Sequence, residues 1–112
     1  MRDLVQRDGV YYKKFSDVPF SGKVTGSFNG SIMNGKREGG WICYYAGGQL
    51  HYKGNYKNGK MEGAWITYHR KGQLNSKGNY KNGKREGKWV EFHVDGQLGN
   101  KGNFKNGVKI SN

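Results

Sequence analysis

The chain of 112 residues has little of several things on which small folded proteins depend. It contains one proline and one cysteine, Cys43, which excludes an internal disulfide framework and a thiol-rich zinc site. No apolar stretch approaches the roughly 20 residues of a membrane-spanning helix, and residues 1–9 contain no apolar signal segment. We therefore expect a cytoplasmic protein by default, or an exported one if a signal has been removed from its N-terminus.

Acidic and aliphatic residues are scarce as well. Eight acidic residues stand against 20 basic ones, giving a net charge of +12, and Leu, Ile, Val and Phe together make only 20 residues. Low aliphatic content with high net charge is typical of disordered chains. The 16 aromatic residues and 20 glycines indicate otherwise, because aromatic rings bury large areas and glycines permit tight turns. Any order must therefore come from the pattern of residues.

The dominant pattern is a 24-residue period that runs without insertion or deletion. The first and second units agree at 16 of 24 positions, and the second and third agree at 14. The three predicted repeats span residues 35–58, 59–82 and 83–106.

The segments on either side of the three repeats depart from the period. Residues 1–34 are predicted to form a capping segment and a degenerate first repeat, whose first strand is supplied by Val10-Tyr11-Tyr12. Residues 107–112 form a short C-terminal tail. Atypical ends are expected of a stacked array, because terminal units have one face without a neighbour.

Each repeat has the pattern of a β-hairpin, with alternating apolar and polar residues separated by glycine-containing dipeptides. Dipeptides such as Asp95-Gly96 suit the centre of a two-residue type I′ turn, and Gly47-Gly48 and Lys71-Gly72 are its equivalents. The connection between hairpins turns either at Asn-Gly, as in Asn58-Gly59, or one residue pair further along. The predicted fold is all-β, an elongated single-layer antiparallel sheet of stacked hairpins.

The hairpin register predicts a core on one face of this sheet. Each tryptophan faces a glycine of its own hairpin, so that the indole lies over a residue without a side chain. The predicted structural pairs are Trp41 with Gly54, Trp65 with Gly78, and Trp89 with Gly102. The same layer is expected to contain Leu50, Leu74 and Leu98, together with Tyr56, Tyr80 and Phe104.

The opposite face is predicted to be half apolar and strongly basic. It pairs Ile42, Ile66 and Val90 with lysines, and equivalent lysines recur every two strands, about 10 Å apart. This step is close to the Debye length of about 8 Å at physiological salt, so the charges reinforce one another. The candidate partner-binding residues are the aromatic Tyr44, Tyr68 and Phe92, the lysines Lys53, Lys77 and Lys101, and the lysines Lys57, Lys81 and Lys105.

Catalytic, cofactor and metal sites are not indicated by the repeat. The segments from Gly54 to Lys60 and from Gly78 to Lys84 match the spacing of a phosphate-binding loop, but they lack the following hydroxyl and the helix. His69 and His93 are two strands apart, too far to share a zinc ion. The recurring Glu38, Glu62 and Glu86 are flanked by lysines and are expected to accept hydrogen bonds across the turns between hairpins. We therefore predict a non-enzyme without a cofactor.

Three recurring motifs resemble a known family. They are Gly-Lys-x-Glu-Gly-x-Trp-x-x-Tyr, Gly-Gln-Leu and Lys-Gly-Asn-Tyr-Lys-Asn-Gly, and they resemble MORN repeats. They are most similar to the bacterial variant in proteins of the YwqK-type antitoxin family of toxin–antitoxin systems. Residues 8–15 and 19–24 also resemble the lead-in segment of those proteins. The resemblance implies a twisted sheet of stacked hairpins that acts as an interaction scaffold.

The predicted function is therefore a non-catalytic scaffold that binds a partner macromolecule. A protein, acidic in character and in an antitoxin-like or adaptor role, is the first expectation. Anionic phospholipid and single-stranded nucleic acid are the alternatives for the basic face. The lysines can instead serve solubility, with their stems covering the aliphatic residues. We expect a monomer, although the edge strand at each end of the array can associate weakly with another copy.

Overall fold

The computed structural model describes residues 3–112, and every regular element in that part of the chain is a β-strand. No helix capable of crossing a bilayer is found within those residues. The first two residues of the predicted segment 1–34 lie outside the described part. The strands are β1 (Leu4–Arg7), β2 (Val10–Lys13), β3 (Gly22–Val24), β4 (Phe28–Met33), β5 (Lys36–Tyr44), β6 (Leu50–Lys57), β7 (Lys60–Tyr68), β8 (Leu74–Lys81), β9 (Lys84–Phe92), β10 (Leu98–Lys105) and β11 (Val108–Ser111).

Strands β3 to β11 form one antiparallel sheet in which every strand pairs with its sequence neighbours. The molecule is flat and elongated, with extents of 47 × 33 × 18 Å. The predicted fold class, a single-layer antiparallel sheet of stacked hairpins, is confirmed. The sheet continues without interruption across residues 34–35 and 106–107, so the proposed domain boundaries there stay predictions.

The N-terminal segment differs from the prediction. Val10-Tyr11-Tyr12 is not the first strand of a degenerate repeat, because it pairs with β1 in a separate hairpin, and β3 is the partner of β4. The hairpin is fastened to the sheet by a 2.7 Å hydrogen bond from the Tyr11 amide to the Gly35 carbonyl. A local sequence pattern does not reveal such a long-range contact.

The N-terminal hairpin covers one end of the aromatic face and completes a buried core cluster there. Val24, Ile32 and Trp41 are buried there, and Trp41 is only 1% exposed. Residues packed against this cluster are Leu4, Tyr11, Phe20, Phe28 and Tyr56. The hairpin therefore acts as a lid over the first tryptophan of the array.

The predicted hairpin register is confirmed along the bodies of the strands, as in the pairs Trp41–Gly54 and Ile42–Lys53. Next to the turn it shifts by one residue, so Tyr44 pairs with Leu50. The predicted two-residue type I′ turn is wrong, because it needs two residues with positive φ and only Gly48 has one. The Gly48 amide instead donates to the Tyr45 carbonyl, which gives a three-residue turn ending in a glycine bulge. The equivalent glycines are Gly72 and Gly96.

The leucines do not belong to the tryptophan layer. The shifted register pairs Leu50 with Tyr44, and directly paired residues share one face of a sheet. Since Tyr44 and Trp41 lie on opposite faces, the predicted position of Leu50 is wrong. The same correction holds for Leu74, paired with Tyr68, and Leu98, paired with Phe92.

Between hairpins the chain turns at Asn-Gly, the first of the two alternatives left open by the sequence. Asn58 and Gly59 have φ values of 51° and 81°, as a type I′ turn requires, and Lys57 pairs with Lys60. Further along β7 the register shifts by two residues around Gly63, whose φ is 75°. Because the shift is by two residues, Trp65 stays on the aromatic face and is moved from a position opposite Tyr52 to one opposite Gly54.

Each tryptophan lies over a glycine, but over the glycine of the preceding strand rather than that of its own hairpin. A Cβ atom added to Gly54 would overlap the indole of Trp65, not that of Trp41. The predicted Cα pairs are present, but each indole ring points toward the preceding strand instead of the following strand of its own hairpin. The observed partners are Gly30 under Trp41, Gly54 under Trp65 and Gly78 under Trp89, and within residues 3–112 no indole lies over Gly102.

Candidate functional site: a basic and aliphatic groove

The central feature of the open face is a row of residues that crosses the sheet at one height. Lys53 pairs with Ile42 on one side and with Ile66 on the other, so each interior lysine of the row lies between two aliphatic side chains. In full, the row is Asn29, Ile42, Lys53, Ile66, Lys77, Val90 and Lys101. This alternation extends the sequence prediction, which paired each lysine with the aliphatic residue of its own hairpin only.

The part of this row from Asn29 to Val90 forms the floor of a groove of about 1010 Å³. Ile42, Ile66 and Val90 line it together with Lys53 and Lys77. Ile42 is 36% exposed, so the floor offers aliphatic surface to a partner. The lysines are exposed, and this makes the groove positively charged.

The predicted binding residues divide into those within the groove and those beside it. Lys53 and Lys77 line it, while Lys101 continues the row at its last strand. The remaining six do not line it, although strand alternation places them on the same face. They are Tyr44, Tyr68 and Phe92 on the side of the hairpin turns, and Lys57, Lys81 and Lys105 on the side of the Asn-Gly turns.

One groove residue, Lys88, was missed by the sequence prediction. The corresponding positions of the first and second repeats hold Gly40 and Ala64, which also line the groove. Because Lys88 is absent from the other repeats, a search for recurring residues passed over it. The signal that could have found it is a lysine replacing two small residues on the basic face.

The three repeats carry a large excess of positive charge. Residues 35–106 hold 14 of the 20 basic residues and five of the eight acidic ones, a net charge of +9. Two of those acids bind turns as predicted, since Glu38 accepts from the Asn58 amide at 2.7 Å and Glu62 accepts from the Asn82 amide at 2.8 Å. Within residues 3–112, both ion pairs shorter than 4 Å involve arginines, Arg7 and Arg85. The lysines of the groove are therefore available to an anionic partner.

The aromatic face, by contrast, is internally satisfied. The Arg37 guanidinium lies 4.7 Å from the Trp41 ring centre and donates hydrogen bonds to the hydroxyls of Tyr56 at 3.0 Å and Tyr11 at 3.3 Å. Burial opposes the charge of Arg37, but these two tyrosines outweigh it and raise its pKa above the ordinary value. For Tyr52 the effect of burial is the opposite: burial is the main cause that raises its pKa, with further contributions from Cys43 and Tyr56.

The contacts of His69 and Cys43 are typical of residues with a structural role. The His69 ring nitrogen Nε2 lies 2.8 Å from the Phe92 carbonyl of the next hairpin, and Tyr45 makes the equivalent contact with the Tyr68 carbonyl at 2.7 Å. Cys43 is buried at 5% exposure. Among residues 3–112 no three histidines, cysteines or acids are grouped to hold a metal ion. These positions connect neighbouring hairpins or fill space.

The geometry defines a β-hairpin repeat protein, and the comparison with known families agrees. Residues 37–58 and 61–82 match the model of the MORN repeat variant, as two consecutive repeats. No curated protein matches the chain.

Proposed function

We propose that this chain is a non-catalytic scaffold that binds an acidic partner protein in the groove formed by Ile42, Lys53, Ile66, Lys77 and Val90. The alternation of lysine and aliphatic residues along the groove floor is the observation that carries the proposal. Such a surface is complementary to a segment in which acidic and apolar side chains alternate.

The aliphatic residues distinguish a protein partner from the other polyanions. Burying a Val or Ile side chain stabilises a complex by roughly 1.5–3 kcal/mol, whereas an exposed ion pair contributes about 0–1 kcal/mol. Affinity should therefore come mainly from the aliphatic floor, and orientation and association rate from the lysines. A single-stranded nucleic acid would need rings for stacking, and Tyr44, Tyr68 and Phe92 do not line the groove.

The resemblance to YwqK-type antitoxins suggests one partner of this class, a toxin protein that presents an acidic surface. An adaptor that joins two other proteins would use the same groove. Both roles require a defined protein partner, and the same experiment detects it.

The test is capture of partners from the native host, with mass spectrometry and with nucleic acid and lipid assays of the captured material. The groove variant changes Lys53, Lys77 and Lys101 to Glu. A matched variant changes Lys13, Lys14 and Lys71 to Glu, which alters the net charge equally at exposed positions outside the groove.

We expect a defined acidic protein with the parent and the matched variant at low and at moderate salt, and its loss with the groove variant. Equal loss with both variants would mean that net charge, not the groove, holds the partner. Recovery of nucleic acid or anionic lipid in place of a protein would overturn the proposal.

A further inference from the structure

The groove floor carries apolar and charged side chains at a regular spacing. Neighbouring strands of a sheet lie about 4.8 Å apart, so Ile42, Ile66 and Val90, which stand on every second strand, follow one another at about 9.6 Å. Lys53 and Lys77 lie midway between them. A ligand that uses the whole floor must therefore present apolar and acidic side chains in turn, at steps of about 4.8 Å.

The floor is also nearly straight. Strand β5 has nine residues and is about 30 Å long, so a sheet that twisted through a right angle would be about 30 Å thick. The molecule is only 18 Å thick, although the N-terminal hairpin lies on one face of the sheet. The side chains of the floor therefore point in much the same direction, and a straight rod can contact all of them.

A row of short side chains gives the groove its depth beside this floor. Gly40 pairs with Asn55 and Ala64 pairs with Asn79, two residues further along each strand and on the same face. All four residues are exposed and line the groove. They leave room for the backbone of a ligand whose side chains rest on the floor.

Among regular backbone conformations, the α-helix matches the spacing of the floor. Residues i, i+3 and i+7 of a helix share one face and lie about 4.5 and 10.5 Å along its axis. An extended strand presents one face at steps of about 6.7 Å, which misses the second position of the floor by about 2 Å and the third by about 4 Å. A polyproline helix repeats at about 9.3 Å but returns no residue to the same face halfway.

The third repeat gives the groove one strongly charged end. Lys88 stands where the first two repeats have Gly40 and Ala64. Among the residues that line the groove, Lys88 and Lys77 make the end at β9 more positive than the end at β4, where Asn29 lies on the floor. Because the C-terminus of a helix is the negative end of its dipole, it is favoured at the β9 end.

We propose that the partner segment in this groove is an acidic amphipathic α-helix that crosses the strands, with its C-terminal end at Lys88. This inference rests on the proposed function, since it specifies the conformation and residue pattern of the acidic partner. Apolar residues at i, i+7 and i+14 rest on the three aliphatic residues of the floor, and acidic residues at i+3 and i+10 meet the two lysines between them. A further acid in the last turn lies near Lys88.

The probe is a capped helical peptide of about 22 residues with this pattern: Ile at the three apolar positions, Glu at i+3, i+10 and i+18, and Ala and Gln elsewhere. One control moves each Glu by two residues, which turns it by about 200° to the far side of the helix at constant charge. A second control places Pro at i+5 and i+12, on the far side, so that the facing residues remain but the helix cannot form.

Each peptide is titrated into the full 112-residue chain, with amide shifts recorded by NMR and peptide helicity by circular dichroism. We expect saturable shifts at the floor residues of β5 to β9 and a gain of helicity with the patterned peptide. The moved-Glu control should bind at least about threefold more weakly, because it loses three ion pairs. The Pro control should bind at least about tenfold more weakly.

The orientation is tested by Lys88→Ala, which gives the third repeat the residue that the second has at Ala64. The variant should weaken the patterned peptide about two- to fivefold, as for loss of an exposed ion pair. It should not affect a peptide whose last Glu is moved to the first turn. Equal effects on both peptides would overturn the orientation.

The remaining outcomes separate this inference from the proposed function. Equal binding of the Pro control at the floor would overturn the helix and leave the groove as the binding surface. Shifts away from the floor, or no saturable shifts, would also overturn the helix, while partner capture with the groove variant decides the proposed function independently.

Discussion

The two faces of the sheet follow the same 24-residue period but are held in opposite ways. On one face Trp41, Trp65 and Trp89 are 1%, 6% and 3% exposed, and each ring interlocks with a glycine and a carbonyl of the strand before it. On the other face, lysines and aliphatic residues alternate across an open groove. Packing explains why the aromatic residues recur, whereas it makes no demand for recurring lysines. The contrast places the packing interactions on one face and supports the proposal that the other face binds a partner.

The largest effect is expected from Gly78→Val on the aromatic face. The new side chain would occupy the place of the Trp89 indole, so we expect a loss of more than roughly 3 kcal/mol in the free energy of unfolding. Chemical denaturation measures it. Gly102→Val is the matched control, expected to cost about 1–2 kcal/mol because its side chain meets the end of Lys109 and the Ser111 carbonyl of the last strand rather than an indole ring. Similar costs at both glycines would contradict the assignment of indoles to the preceding strand.

Trp65→Ala should come next. Trp65 stacks with Tyr52 at 5.4 Å and meets Tyr56 and Tyr80 edge-on, so its removal leaves a cavity shared by two hairpins. The expected loss is roughly 3–5 kcal/mol, measured as a shift of the denaturation midpoint. The comparison is Tyr44→Ala on the open face. Since the Tyr44 ring is already 38% exposed, its removal should lower the free energy of unfolding by less than about 1 kcal/mol.

An intermediate effect is expected from Arg37→Met, which gives the first repeat the residue that the second repeat has at Met61. The variant loses two tyrosine hydrogen bonds and a cation–π contact with Trp41, and we expect a loss of about 1–2 kcal/mol. Thermal unfolding tests it. An unchanged midpoint would show that methionine packs as well there as arginine.

The smallest effect on stability is expected from changing Lys53, Lys77 and Lys101 together to Gln. These side chains are exposed, and their removal relieves repulsion between neighbouring positive charges. The free energy of unfolding should change by no more than about 1 kcal/mol. A large destabilisation would show that the lysine stems help hold the fold, and would weaken the contrast between the faces.

Much of this contrast could be predicted from the sequence, because strand alternation and a fixed period determine which residues share a face. The pairing of Ile42 with Lys53 followed directly from the hairpin register. The covering of Gly54 by Trp65 did not, because ring direction depends on side-chain torsions and on the bulge at Gly63. Leu50 lies on the open face because of a one-residue bulge next to the hairpin turn. Assuming a symmetric two-residue turn leaves no such bulge, so the sequence analysis placed Leu50 on the wrong face. Lys88 escaped notice because it breaks the repeat.

The measurement that tests the central claim most directly combines unfolding and partner capture in the triple Gln variant of Lys53, Lys77 and Lys101. If the aromatic face stabilises the fold and the basic groove binds the partner, the variant should have an unfolding midpoint close to that of the parent and should clearly lose the captured protein. Capture of the same protein at the same strength, with the midpoint unchanged, would contradict the claim that the basic groove is the binding surface.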